Sequence, residues 1–389
     1  MTQRQVPAPP ADPPTLVPAQ SAPGPSLLHL DGRLRQFAAQ VDQEINAVLH
    51  AEVHDAWMRG AISYHFGWAD TRFEQLPPEQ WSPGGKKLRP TLALLCHHGA
   101  AGAGGASSSQ PLAFAAAVEL VHNFSLIHDD IQDGDRLRRG RPTIWSICGA
   151  AQAINVGDTL HALAYLCLAR LPGRDIDDHR SATVVAALAR GVVDMTVGQR
   201  RDMAYETGCD VDVETYLEMI AGKTAALMAC ATYGGAVLAL GSGKSTAETV
   251  ARFREFGHHL GLGFQIRDDI LGVWGAESET GKPTGSDLRR RKMSLPVIVA
   301  FQTAPPEVRD RLVAIFSQHG ELTGDQENYI RRVLDDCHAQ AIAQSLVETH
   351  GQQASRALTD IVAATDTAGS NPFLGDLEQL TASLTTRAH

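Results

Sequence analysis

This 389-residue chain lacks an uncharged apolar run of the ~20 residues that a membrane-spanning helix needs. Its N-terminus lacks the charged-then-apolar pattern of a secretory signal. A soluble protein without stable membrane insertion is expected. Disulfide frameworks and zinc ribbons are excluded, because the six cysteines, Cys96, Cys148, Cys167, Cys209, Cys230 and Cys337, are scattered without C-x-x-C spacing. They read as small core residues in a reducing cytoplasm. Positive charge is in deficit, with 34 Lys and Arg against 44 Asp and Glu and a formal net charge of −10. Nucleic acid is therefore not an expected partner, since binding it takes a broad basic surface.

Two further absences narrow the reading. No persuasive alternation of apolar and polar residues marks a strand. No Ser/His/Asp or Cys/His set offers a side-chain nucleophile. What is present is helix. The fold expected is all-α, a single-domain bundle of about ten or more helices around a central active-site cavity. Residues 1–26, rich in Pro and Ala, are expected to be a disordered tail before one helical domain over 27–389. Apolar spacing predicts helices from Leu27 to about Gly60, Pro111 to His128, Thr143 to Leu171, Ser181 to Tyr205, Val213 to Leu240 and Thr249 to Trp274. Gly241 to Thr246 has a P-loop flavour, but Leu238 stands where the first Gly belongs, so no nucleotide site is expected there.

The chain is organised around His122 to Arg141. Asp129 and Asp133 are four apart and share a helix face, with Ser125 and His122 on nearly the same face one and two turns earlier. Paired acids repel unless a cation neutralises them, and carboxylate oxygen suits Mg²⁺. Acid pairs such as Asp177-Asp178 and Asp335-Asp336 are ordinary solvated ends. Asp129, Asp130 and Asp133, at a helix C-terminus, instead oppose the macrodipole. Arg136, Arg138, Arg139 and Arg141 follow at once and read as a clamp for phosphate. Acid and base together suggest a metal-bound phosphate or diphosphate.

Three weaker signals accompany it. Gly84-Gly85-Lys86-Lys87-Leu88-Arg89-Pro90 places basic groups beside a Gly pair at a helix start, a plausible anion site. Lys223-Thr224 interrupts an apolar helix, where a lysine is ordinarily a snorkelling surface residue. Gly261, Gln265, Asp268 and Gly272 share one helix face, which makes Asp268-Asp269 a second acidic site, followed by a basic loop from Gly281 to Lys292.

These four signals, in this order, resemble the trans (E-type) isoprenyl diphosphate synthases over roughly residues 34–370. The resemblance implies condensation of isopentenyl diphosphate with an allylic diphosphate, homodimerisation, and Mg²⁺ as cofactor, three ions in all. Asp129 and Asp133 are similar to the first motif's metal ligands and Asp268 to the second's, with Asp130, Asp269 and Lys223 also catalytic. Arg138, Lys223, Thr224, Gln265 and Lys282 resemble allylic-site contacts. Lys86, Arg89, His122 and Arg139 resemble the isopentenyl diphosphate pocket, and Lys292 a basic residue that closes over the site. One departure stands out: Gly272 occupies the place of the second motif's last acid. It leaves a terpene cyclase on the same fold as the first rival and a non-catalytic partner subunit as the second. The complete isopentenyl set favours elongation. Ser125, small and one turn (about 5 Å) below Asp129, leaves the tail tunnel open, while Phe124 narrows it deeper in. Aromatic then small implies geranylgeranyl diphosphate as product, ahead of farnesyl diphosphate.

Overall fold

The computed structural model describes residues 25–82, 85–102, 111–174, 176–205, 211–240, 244–276, 284–318, 322–366 and 369–385. Most of the expected tail therefore lies outside the described residues. The helices are α1 (Pro25–Glu52), α2 (Ala56–Phe66), α3 (Leu88–Ala101), α4 (Leu112–Gln132), α5 (Ile144–Cys148), α6 (Ala150–Leu168), α7 (Asp178–Tyr205) and α8 (Val213–Ile220). After a π-helical turn at Ala221–Ala225 come α9 (Ala226–Ala239), α10 (Lys244–Trp274), α11 (Ser286–Arg289), α12 (Leu295–Thr303) and α13 (Pro306–Phe316). The chain closes with α14 (Gly324–Asp336), α15 (Ala339–Thr365) and α16 (Pro372–Thr385).

The all-α expectation holds, with local corrections. The helix expected from Leu27 to Gly60 is two helices. Asp55 caps α2 by accepting from the Met58 amide at 2.7 Å, so the chain breaks there. The helix expected from Thr143 to Leu171 is likewise split, at Gly149, whose φ of 82° ends α5 before α6 begins. A small antiparallel hairpin stands where no strand is expected. Strand β1 (Leu137–Arg138) pairs with β2 (Arg141–Pro142), Arg138 opposite Arg141. Two-residue strands are too short for any alternation to reveal.

Burial divides the apolar residues into two cores. The first joins α1 to α7, α9, the N-terminal part of α10, the C-terminal part of α15, and α16. The second joins α8, the C-terminal part of α10, and α11 to α14 with the start of α15. Helix α10 runs through both and packs along α15 and α9. Helix α7 is long and apolar enough to cross a membrane, but its apolar stretch carries Arg190 and Asp194. It packs instead on α9 and the π turn. There Gly198 permits the close approach: a Cβ at that position would stand 2.7 Å from Lys223 Cα.

Candidate active site

The first acidic wall is the end of α4. The helix runs past the expected His128 to Gln132, so Asp129 and Asp130 are its last-turn residues and Asp133 is its C-cap. Asp130 is buried and turned away from Asp129, taking both Nε and Nη2 of Arg138, at 2.8 and 2.7 Å. That forked pair fixes the hairpin against the helix. Asp129 is left as the acid whose charge is least well tolerated. Desolvation pushes its pKa up to about 6, with Asp133 and Asp130 adding to the rise and Lys223 and Arg138 opposing it. Asp133 moves in the same direction, again through desolvation first, with Lys223 opposing.

Lys223 reaches this wall from the π turn. An extra residue per turn there projects its side chain away from the α8–α9 axis. Its ammonium donates to Asp202 of α7. Lys223 is therefore not a solvated snorkelling lysine: its side chain is 27% exposed and ion-paired across to α7.

Sequence reasoning missed Asp202, the partner of Lys223. Its charge raises the pKa of both Asp133, on the first wall, and Lys292, on the second. The available signal was an acid four residues after Gly198, the glycine that lets α7 touch the Lys223 turn.

The second wall is the α10 face carrying Gln265, Asp268 and Asp269. Asp269 is buried and accepts three hydrogen bonds, from the Tyr216 hydroxyl, the Leu295 amide at 2.9 Å and Gln265 Nε2 at 3.1 Å. Thr224 Oγ1 donates to Gln265 Oε1 at 2.7 Å. Thr224, Gln265 and Asp269 thus form a chain tying the π turn to α10, and Asp269 acts by holding this wall in place. Lys292 Nζ sits 3.8 Å from Asp269 Oδ1 and 3.7 Å from Asp287 Oδ2. Burial works against its charge, but Asp269, Asp287, Asp268 and Asp202 outweigh it, so its pKa is strongly raised and it is cationic throughout the working range. Lys282 lies outside the described residues.

A separate basic pocket flanks the first wall. Arg89 Nη1 lies 3.3 Å from His122 Nε2, and Arg89 Nε is buried without a hydrogen-bond partner among the described residues. Burial, then Arg89, Arg139 and Arg138, push the His122 pKa well down, so it is neutral. Arg139, at φ 52°, presses on Gly85, where a Cβ would stand 2.8 Å from its Cζ. The two lysines of the Gly-Gly-Lys-Lys stretch part company. Lys87 is buried on Asp42 at 3.0 Å, whereas Lys86 is exposed and available to a ligand. A cavity of about 260 Å³ opens here, lined in part by His65, Ser82, Asp130, Arg138, Arg139 and Arg141. Arg89, Arg138, Arg139 and Arg141 outnumber the two buried acids here, Asp130 and Glu119, the latter with its pKa raised by burial despite Lys87 and Arg89. That surplus suits an anion.

Along α4, Ser125 Oγ donates to the His122 carbonyl at 2.8 Å. Phe124 turns toward α6 and lies against His161, with ring centroids 4.7 Å apart, and edge-on to His128 at 5.7 Å.

The acids fit a hard divalent cation. Asp129 and Asp133 lie one turn apart, the charge of Asp133 raises the Asp129 pKa, and oxygen is their donor. Among the described residues, no three or more His, Cys, Asp or Glu side chains converge into a cage. Mg²⁺ is ordinarily held by one or two carboxylates together with substrate phosphate.

Comparison with known proteins agrees with this geometry. The sequence profile of the polyprenyl synthetase family matches residues 72–333. The chain is 37% identical over 304 residues to a geranylgeranyl diphosphate synthase of Mycobacterium tuberculosis, covering 78% of this chain and 82% of that one. It is 42% identical over 243 residues to a (2E,6E)-farnesyl diphosphate synthase of Mycobacterium bovis, covering 62% and 63%. Among solved structures, polyprenyl synthetase from Streptomyces coelicolor A3(2) superposes with a TM-score of 0.79 at 32% identity, over 92% of this chain and 100% of the other. Geranylgeranyl pyrophosphate synthetase from Pyrococcus horikoshii Ot3 gives 0.73 at 27% identity, over 93% and 99%. With two acidic walls, a lysine between them and an anion pocket alongside, the chain belongs to the polyprenyl synthetase family and is a prenyltransferase that makes short-chain prenyl diphosphates.

Proposed function

We propose that this prenyltransferase joins isopentenyl diphosphate to an allylic diphosphate in a Mg²⁺-dependent reaction, and that geranylgeranyl diphosphate is favoured over farnesyl diphosphate. The observation that carries the reading is the pairing of two acidic walls with a separate basic pocket at Arg89, His122 and Arg139. A cyclase has one diphosphate to hold and little use for that second pocket.

Asp129, Asp133 and Asp268 would hold the metal, which supplies positive charge against the leaving diphosphate. Lys223, ion-paired with Asp202, and Lys292, held cationic by the acids around it, add charge that is fixed before reaction. The allylic C–O bond breaks, the isopentenyl alkene forms the new C–C bond, and the released diphosphate takes the proton lost from the isopentenyl unit. Holding each diphosphate in its own pocket supplies the orientation term, worth up to ~7 to 11 kcal/mol at best. The buried apolar face of α4 keeps water from the allylic cation.

The preference for the longer product is supported by small Ser125 under Asp129 and by Phe124 parked on His161. A homodimer is part of the reading. Ile154 and Leu166 of α6 and Val193 and Val197 of α7 are 41–51% exposed, an apolar stripe that a second copy would cover. So is a cytoplasmic location, supported by the free thiols of Cys96, Cys148, Cys167, Cys230 and Cys337.

Incubation with Mg²⁺, labelled isopentenyl diphosphate and each allylic primer tests the reading. Label in geranylgeranyl diphosphate is the expected result. An unlabelled hydrocarbon would instead identify a cyclase. Silence that a second chain relieves would identify a non-catalytic subunit.

A further inference from the structure

Arg290 and Asp135 are far apart in sequence and meet in space. Nη2 of Arg290 donates to Asp135 Oδ1 at 2.7 Å and Nη1 to Oδ2 at 3.1 Å, a two-pronged pair. Each end stands on a rigid post. The Asp135 amide donates to the Asp130 carbonyl at 2.9 Å. Its own carbonyl accepts from Thr143 Oγ1 at 2.8 Å and Trp145 Nε1 at 2.7 Å. Around Arg290, the Lys292 amide returns to the Asp287 carbonyl at 3.0 Å. Arg291 Nε donates to the Ile315 carbonyl at 3.1 Å, and Arg289 pairs with Glu327.

The posts belong to different cores. Trp145, beneath Asp135, packs on the first core, and Leu288, close to Arg290 along the chain, is buried in the second. The pair lies among the catalytic acids. Asp133 and Asp287 both act on Arg290, and Arg290 acts back on Asp133.

We propose that Arg290 and Asp135 form a latch that fixes the two acidic walls at the separation a metal-bridged allylic diphosphate requires. They are positioning residues and touch neither substrate. The proposal rests on the reaction proposed above. It predicts an effect confined to the allylic substrate, because Arg89 and His122 sit on α3 and α4, both within the first core, and Arg139 is carried by the hairpin that Arg138 pins to Asp130 of α4. Their pocket does not depend on how the two cores are spaced.

The test compares Arg290→Gln, Asp135→Asn and the charge-exchanged double variant R290D/D135R. Each single change should raise the allylic KM about fivefold, the upper end for an exposed pair. Both kcat and the KM for isopentenyl diphosphate should stay within about twofold. Amide hydrogen exchange over residues 286–292 should quicken in each single variant, and the exchanged pair should recover both readouts. Unchanged allylic KM and unchanged exchange in the single variants would overturn the latch, as would an exchanged pair no better than its parents. Should Arg290→Gln fail to fold, Arg290→Lys keeps the charge and loses the fork, and a partial effect is expected. If the wild-type protein forms no new C–C bond, the reaction itself has been misread. Calorimetric binding of the allylic diphosphate with Mg²⁺ to the same variants then still decides the latch.

Discussion

Gly272 lies directly beneath the carboxylate of Asp287: a Cβ at Gly272 would stand 2.6 Å from Asp287 Cγ and collide with the adjacent oxygen. The acid missing from the second motif therefore has no room on α10, and a carboxylate from α11 fills the space. Gly272→Asp is expected to destabilise the protein by about 1–3 kcal/mol, through overpacking and like charge, and not to raise activity. Thermal melting checks it, and a more stable, faster Gly272→Asp enzyme would sink the account.

Asp129 and Asp268 head the two walls. Asp129→Ala or Asp268→Ala should each cut turnover by about 10²–10³-fold, the scale for removing one preorganised electrostatic stabiliser. The far-ultraviolet helical signal should be unchanged. Near-normal rates in either variant would contradict the metal assignment.

The raised pKa of Asp129 makes metal-free stability depend on pH. The folded protein holds this proton up to about pH 6, whereas an unfolded Asp releases it near 3.8. Folding therefore favours the protonated form: the group's stabilising contribution is complete below about pH 4 and is lost as pH rises through 6. Asp129→Asn, which stays neutral, should melt above wild type at pH 7.5 without metal, the gap narrowing on acidification and closing at about pH 4. A gap that widens on acidification would reverse the sign.

On the proposed reading, Ser125 leaves room for the growing tail one turn below Asp129. Ser125→Phe should shift the product toward shorter diphosphates, because the ring would occupy the space one turn down the helix. Chromatography of the dephosphorylated products decides it, and an unaltered distribution refutes the tunnel argument.

Much of this site is legible in the sequence, because its strongest signals are local. Helical periodicity alone aligns Asp129 with Asp133 and Gln265 with Asp268, and a run of arginines beside acids is visible wherever it falls. Phe124 beside Ser125 is equally legible. Other residues carry no such mark. Lys86 and Lys87 are neighbours of one type, and only the position of Asp42 on α1 decides which is buried. Asp268 and Asp269 form one dipeptide, yet Tyr216 and the Leu295 amide single out Asp269 as the anchored one. Asp202 reads as one more surface acid until α7 meets the Lys223 turn.

The sequence by itself determined the helices, the two acidic motifs and the chemistry their oxygens favour, since each depends on residues within a turn or two of one another. Tertiary structure decided which acids are buried and anchored, that Asp202 meets Lys223, that Asp287 fills the place above Gly272, and that Arg290 ties one core to the other. Those outcomes depend on the meeting of segments far apart along the chain, and a charge gives no local sign of the partner that folding will bring to it.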